Sequence, residues 1–345
     1  MPHGPFRIVD IAEQAGVSPA TVDRVLHQRP TVSGRAVRQV EQALLDLERQ
    51  QTQVRLGSKT LVLDVVIHAP SRFTDSARGA LEHELPGLRP ATVRARFHVR
   101  ETFAAGELVA ALDGIGRRGR PSDGILLKAP DEPEVAAAVD RLAARGIPVV
   151  TIVTDVRDCR RIAYVGLDNH SAGATAAYLM NGWLGRSRGC VVATLSRSTM
   201  LGERERLAAF DASMAQLDPR REIVVLADSD GLDEGVRGLV RSLLATRRDV
   251  AAVYSIGGGN RGLFAELDAV GVSPRAYIGH DLDADNVPLL LAGRFTAVLN
   301  HDFRVDMRAA CEQILRHHGL LPGAPTSQPA PVQVVTPHNL PPRLR

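Results

Sequence analysis

Ten runs of six to eight residues, most of them rich in Val, Ile, Leu and Ala, recur between Leu61 and Asn300, and most are separated by stretches of helical length. They are LVLDVVI (61–67), TVRARFHV (92–99), DGILLK (123–128), IPVVTIV (147–153), IAYVGL (162–167), CVVATL (190–195), REIVVLA (221–227), VAAVYSI (250–256), RAYIGH (275–280) and FTAVLN (295–300). Strands that are apolar almost throughout are covered on both faces. Their alternation with Ala- and Leu-rich stretches such as PEVAAAVDRLAARG (133–146) predicts parallel sheets flanked by helices. Ten strands over about 280 residues fit two sheets better than one, because sheets most often hold about four to six strands. A Pro-rich stretch, PGAPTSQPAP (322–331), leads to one last strand, VQVV.

Residues 7–48 have a different pattern. Ile8, Val9, Ile11, Ala12 and Ala15 fall at helical spacing, and Gly16 ends that run. Ser18 before Pro19 reads as an N-cap followed by proline at the first helical position. Val22, Val25 and Leu26 give a second helix its inner face. After a break at Arg29-Pro30, Ser33 can cap a third helix, with Val37, Val40, Ala43, Leu44 and Leu47 inward. The polar stretch RQQTQVRLGSKT (49–60) lacks apolar periodicity and reads as a linker.

Charge does not select a partner. Lys+Arg 42 against Asp+Glu 39 gives a net charge of +3, which excludes a histone-like polycation and permits a small DNA-reading module with local charge. Only Lys59 and Lys128 are lysines; every other cation of this set is an arginine. Cys159, Cys190 and Cys311 have no C-x-x-C spacing, so neither a disulfide framework nor a structural zinc site is expected. No run approaches the roughly 18 apolar residues of a membrane helix, and MPHGPFRIVD has no signal-peptide core. A soluble, cytoplasmic protein without membrane association is expected.

Ile8 to Leu26 has the anatomy of a helix-turn-helix: small Ala12 and Ala15 for close approach, Gly16 at the turn, and hydroxyls opening the second helix, where they can meet phosphate. The longer run D-I-A-x-x-A-G-V-S-x-x-T-V-x-R-V-L, followed by Val32-Ser33, resembles the head of the LacI/GalR family of bacterial repressors. By position the resemblance implies that Pro19, Ala20 and Arg24 face bases and that Ser18, Thr21 and Ser33 meet the backbone. Arg24 suits a bidentate guanine contact. Asp23 stands where the family usually has serine. Residues 49–60 also lack the family's hinge-helix pattern, so no minor-groove wedge is assigned to Leu56. A subgroup with T-V-D-R-V-L shares both departures.

Further runs recur in family order: I-P-V-V-T with Asp155 after it, Y-V-G-x-D-N-x-x-A-G (164–173), R-L-A-A-F (206–210), I-G-H-D (278–281) and A-V-L-N-H (297–301). The resemblance implies a small all-α helix-turn-helix head at 1–48, a linker at 49–60 and an α/β effector-binding body at 61–345. That body would be two-lobed and periplasmic-binding-protein-like, with two doubly wound parallel sheets. Lobe 1 would hold about 61–165 and 301–327, and lobe 2 about 166–300 and 328–345. Polyol recognition needs carboxylates and amides for paired hydroxyls, an arginine, and an aromatic face for C–H surface. By position the ligand-binding candidates are Phe73, Asp155, Arg206, Asn260, Asp281 and His301, with Lys128 at a strand end facing either the cleft or a neighbouring surface. The expected partners are operator DNA, a small sugar or polyol effector and a second copy in a homodimer. The expected action is repression.

One motif points elsewhere. Gly257-Gly258-Gly259-Asn260-Arg261-Gly262 satisfies G-x-G-x-x-G after a strand and before a helical run, with Asp281 about 20 residues on, as in dinucleotide-binding folds. It lies far into the body, a polar Asn-Arg pair follows the glycines, and no acid–base set accompanies it. An NAD(P)-dependent oxidoreductase is therefore the alternative, as is a sugar-binding protein with no DNA role. Asp168-Asn169 before Ser171 reads equally as a helix cap. No catalytic residue, metal site or cofactor is expected.

Overall fold

The computed structural model describes the chain except residues 1–5, 30, 31, 59, 89, 90, 105, 118, 120 and 345, and except the side chains of 49, 52–58 and 343. The chain divides into two compact units, Met1–Leu61 with Leu88–Val93, and Val62–Gly87 with Arg94–Arg345.

In the first unit, α1 (Ile8–Ala15) ends at Gly16, whose φ of 63° is the left-handed conformation that glycine adopts without a Cβ clash. Ser18 caps α2 (Pro19–Leu26) by accepting the Thr21 N–H at 3.2 Å. Ser33 accepts the Ala36 N–H at 3.2 Å where α3 (Gly34–Ser58) begins. Ile11, Ala12, Ala15, Val22, Val40 and Ala43 meet in one buried core. Residues 49–58, expected as an irregular linker, instead continue α3. Gln, Arg and Leu are good helix formers, so intrinsic propensity carries the helix where no apolar face exists to signal it. The Leu56 side chain and the Pro30 half of the Arg29-Pro30 break lie outside the described residues.

The body begins with β1 (Thr60–His68), α4 (Ser71–Glu84), β2 (Thr92–Arg100), α5 (Glu107–Gly114), β3 (Gly124–Lys128), α6 (Pro133–Ala144), β4 (Val149–Ile152) and β5 (Ala163–Leu167). It continues with α7 (Asn169–Leu184), β6 (Cys190–Thr194), α8 (Leu201–Leu217), β7 (Ile223–Leu226), α9 (Asp233–Leu244), β8 (Val250–Ser255), α10 (Asn260–Ala269), β9 (Ala276–His280), α11 (Asn286–Leu291) and β10 (Ala297–Asn300). Last come α12 (Phe303–His317), β11 (Gln328–Ala330) and β12 (Gln333–Val335).

Two six-stranded sheets result, ordered β11-β5-β4-β3-β1-β2 and β12-β10-β9-β8-β6-β7. All ten anticipated strands are present. In the first sheet β1, β3, β4, β5 and β11 pair in parallel. In the second, β6 to β10 pair in parallel and β12 closes the edge antiparallel to β10. Apolar side chains of the central strands are buried, as parallel strands covered by helices require: Ile125, Leu127 and Val149 pack with α5 and α6 residues, and Val253, Tyr277 and Val298 with α9 and α10 residues.

The chain passes between the sheets after β5, after β10 and after β11. The last passage falls after Ala330, later than residue 327, because QPA forms an edge strand on β5. Pro329 has no N–H to give, so only an edge position suits it. Among the described residues no helix is long and apolar enough to cross a membrane.

Candidate functional site

The carboxyl ends of β1, β3 and β4 in one lobe and of β6, β8 and β9 in the other line one cavity of about 70 Å³. Outside the carboxyl edge of parallel strands is where open α/β sheets place ligands, since crossover loops and helix N-termini converge there. On a scale where one water needs about 10–15 Å³, this space suits a compact molecule and not a dinucleotide. The lobes touch around it. Arg72 on α4 pairs with Asp283 at 3.2 Å, Arg204 with Asp131 at 2.9 Å and Arg157 with Glu205 at 2.6 Å. The Gly202 N–H donates to the Thr154 hydroxyl at 3.0 Å, and the Asp131 N–H to the Thr199 carbonyl at 2.9 Å.

Phe73, Arg206, Asp281 and Lys128 all line this cavity. The Phe73 ring meets the Phe303 ring edge at 5.3 Å and lies 4.9 Å from the Lys128 Nζ. Arg206 is buried, and its Nε donates to the Asn169 Oδ1 at 2.8 Å, which aims the guanidinium. Gly173 lets α7 and α8 approach closely enough for this: a Cβ there would sit 2.1 Å from the Arg206 carbonyl oxygen. Asp281 has a φ of 66°, the left-handed region that aspartate tolerates better than most residues. It is held there by Asn286, whose side-chain amide donates to the carbonyls of His280 at 2.8 Å and Asp281 at 2.9 Å.

Asp155, Asn260 and His301 are placed elsewhere. Asp155 accepts from the Thr151 hydroxyl at 2.6 Å and the Val156 N–H at 2.9 Å and pairs with Arg161 through both oxygens, so it anchors its own loop. Val153 and Thr154 reach the cavity in its stead. Asn260 accepts from the Tyr277 hydroxyl at 2.9 Å and donates to the Asn286 Oδ1 at 2.8 Å. It thus supports the amide that holds Asp281. His301 is fully buried between Asp306, on its Nδ1, and the Asp281 Oδ1, 3.5 Å from its Nε2. His301 thus stands directly behind Asp281, and Asn260 behind Asn286.

The sequence reading did not single out Arg72, Glu203, His280, Asp283 or Asn286, all of which line the cavity. Glu203 accepts the Ser196 N–H at 2.7 Å and the Ser196 hydroxyl. Asp283 accepts the N–H groups of Asp285 at 3.0 Å and Asn286 at 2.8 Å. Burial pushes the Asp283 carboxyl up to about 6 although Arg72 opposes the shift. His280 is held neutral, chiefly by burial and next by Arg206. Burial likewise lowers the Lys128 ammonium to about 8. Spacing alone offered one usable signal, that Asp283 and Asn286 follow Asp281 in one loop.

The glycine-rich loop has a packing explanation. A Cβ on Gly257 would lie 2.0 Å from the Ser196 nitrogen, and one on Gly258, at φ +89°, would lie 2.1 Å from the Arg72 guanidinium. Arg261 turns to Asp233 and Asp285, each at 3.1 Å. Asp168 caps α7, accepting the Ser171 N–H at 2.9 Å.

In the head, Ser18, Pro19, Ala20 and Arg24 are exposed at and after the start of α2, and Thr21 is half-buried with its hydroxyl 2.9 Å from that of Ser18. Arg24 and Ser33 are exposed as well, the latter at the start of α3. Asp23 pairs with His27 at 3.0 Å and Arg29 at 3.4 Å, not with Arg24.

Two doubly wound lobes joined by three passages, with a polar cavity at the facing carboxyl edges, define a periplasmic-binding-protein body, here in one chain with a helix-turn-helix head. Family models agree: residues 104–319 match the periplasmic binding protein domain, and residues 7–48 match the bacterial regulatory proteins of the lacI family. The chain belongs to the LacI/GalR family of bacterial regulatory proteins. No curated protein matches it in sequence. Among solved structures, GanP, a glucose-galactose binding protein from Geobacillus stearothermophilus, superposes with a TM-score of 0.72 at 19% identity, covering 82% of this chain and 100% of that one. A candidate LacI transcriptional regulator from Bacteroides fragilis gives 0.70 at 16% identity, covering 82% and 99%. A solute-binding protein from Burkholderia graminis C4D1M, in complex with D-arabinose, gives 0.71 at 19% identity, covering 81% and 96%.

Proposed function

We propose that this transcriptional regulator is a cytoplasmic, homodimeric, sequence-specific repressor whose cleft binds a small sugar or polyol. The observation that carries the reading is the junction, in one chain, of a lacI-type head with a cleft presenting Phe73, Arg206 and Asp281 to one compact cavity. Arg206 and Asp281 supply charge-assisted hydrogen bonds to hydroxyls, and the Phe73 ring supplies an apolar face. Ligand bound between lobes favours the closed arrangement, and differential affinity for closed and open forms is what shifts DNA affinity. The glucose-galactose and D-arabinose proteins among the structural neighbours support a saccharide ligand. In the head, Arg24, Pro19 and Ala20 read bases while Ser18, Thr21 and Ser33 hold the backbone. A dimer doubles a contact area that one head makes too small for tight binding. Footprinting the full-length protein on DNA upstream of its own gene, with a panel of sugars and polyols added, tests this. The expected result is two protected half-sites about one helical turn, or a multiple of it, apart, with protection altered by one sugar. A footprint indifferent to every sugar, with thermal stabilisation by NAD or NADP, would overturn it.

A further inference from the structure

The partners of the charged groups around the cavity are unequal. Two of the acids already have partners in the protein, Glu203 in Ser196 and Asp283 in Arg72 and two N–H groups, whereas the Asp281 Oδ1 only faces His301 at 3.5 Å and accepts no hydrogen bond among the described residues. The cations are less well served. Lys128 is 9% exposed, yet among the described residues no carboxylate lies within 4 Å of it, and its one hydrogen bond is a long 3.4 Å donation to the His68 carbonyl. Arg206 commits its Nε to Asn169, and its two terminal nitrogens make no hydrogen bond among the described residues. A buried ammonium without an anion is costly, and a protein of this composition that needed only a cation would carry an arginine. Lysine at 128 instead places a compact point charge at the end of β3.

We propose that the ligand is a hydroxy acid of monosaccharide size, an aldonic or uronic acid, whose carboxylate sits on Lys128 and Arg206 while a hydroxyl donates to Asp281. This rests on the reading of the cleft as a saccharide site and narrows it. A single negative charge fits better than the double charge of a sugar phosphate, because Glu203 and Asp281 share the same small space and would repel the second charge.

The test compares matched ligands on the full-length protein by calorimetry: gluconate, glucuronate and galacturonate against glucose and galactose, with glucose 6-phosphate as the phosphate arm. At least one acid should bind about 10- to 100-fold more tightly than its neutral parent, the range of a charge-assisted hydrogen bond. Lys128→Met should remove that preference, so that the acid binds no more tightly than its neutral parent. Without ligand, Lys128→Met should raise Tm by about 2–4 °C, since an apolar side chain of similar length replaces an uncompensated charge. Neutral sugars binding as tightly as acids overturns the carboxylate and leaves the saccharide cleft standing. Preference for the phosphate overturns the single charge. A panel in which nothing binds overturns both readings, and a fall in Tm for Lys128→Met makes the ammonium part of the fold and overturns its role toward ligand.

Discussion

Replacing Arg72 by methionine should weaken ligand binding at pH 7.5 and spare it at pH 6. Arg72 reaches across the cleft to Asp283 at 3.2 Å, with both side chains largely buried, so the pair exists only when the lobes are closed. Breaking one half of a buried pair commonly costs about 3–5 kcal/mol, because the remaining charge is stranded. Here the stranded group has an escape. Burial raises the Asp283 carboxyl to about 6 even against the opposing influence of Arg72. A raised carboxyl is disfavoured as an anion above that value, and the cost is relieved as pH falls through it. Protonating Asp283 at pH 7.5 spans about 1.5 pH units, or about 2 kcal/mol, and the neutral acid no longer needs Arg72. The loss in Arg72→Met is therefore capped at about 30-fold at pH 7.5 and shrinks to about twofold or less at pH 6. Calorimetric titration of wild type and variant at several pH values reads this directly. The Asp283→Asn background should abolish the effect, giving a coupling energy near the full loss. A penalty that stays constant from pH 7.5 to 6, or no penalty at either, refutes the reasoning.

Three further outcomes are expected. Arg24→Ala should cost about 1–3 kcal/mol of operator affinity and relax preference at one base pair; an equal loss on all DNA sequences would make Arg24 a phosphate contact. Asp23→Ser should raise DNA affinity in a gel-shift titration, by removing an anion from the phosphate-facing helix; weaker binding would mean that Asp23 positions His27 and Arg29, its observed partners. Asn169→Ala should lower ligand affinity by about tenfold, because Arg206 loses the 2.8 Å bond that aims it, while operator binding without ligand is unchanged; normal calorimetry would show that Arg206 is held by packing alone.

The fold was legible where burial writes itself into composition. In β3, buried at every position, Gly124 to Leu127 are apolar without interruption and only Lys128 at the carboxyl end is charged, so the run is visible without knowing its neighbours. The misreadings sit where burial does not dictate. Residues 49–58 are helical through propensity, with no apolar face to reveal it. Gln328–Ala330 is an edge strand whose identity comes only from pairing with β5, a partner about 160 residues earlier in the chain.

The site was legible to within one layer. Phe73, Arg206 and Asp281 reach the cavity, whereas His301 stands one contact behind Asp281, Asn260 one contact behind Asn286, and Asp155 is spent on Arg161. Spacing can show that a residue follows a strand's carboxyl end; it cannot show which way the side chain turns, because that depends on what the rest of the chain offers it. Arg161 captures Asp155, and Asn286 captures Asn260. The same competition explains the unread residues. Asp283 becomes a cleft residue only because Arg72 arrives from the other lobe, and Lys128 becomes conspicuous only because, among the described residues, no carboxylate pairs with it. The polar groups that a fold leaves without a partner are where its ligand chemistry is written, and that deficit can be counted only once every other partner is in place.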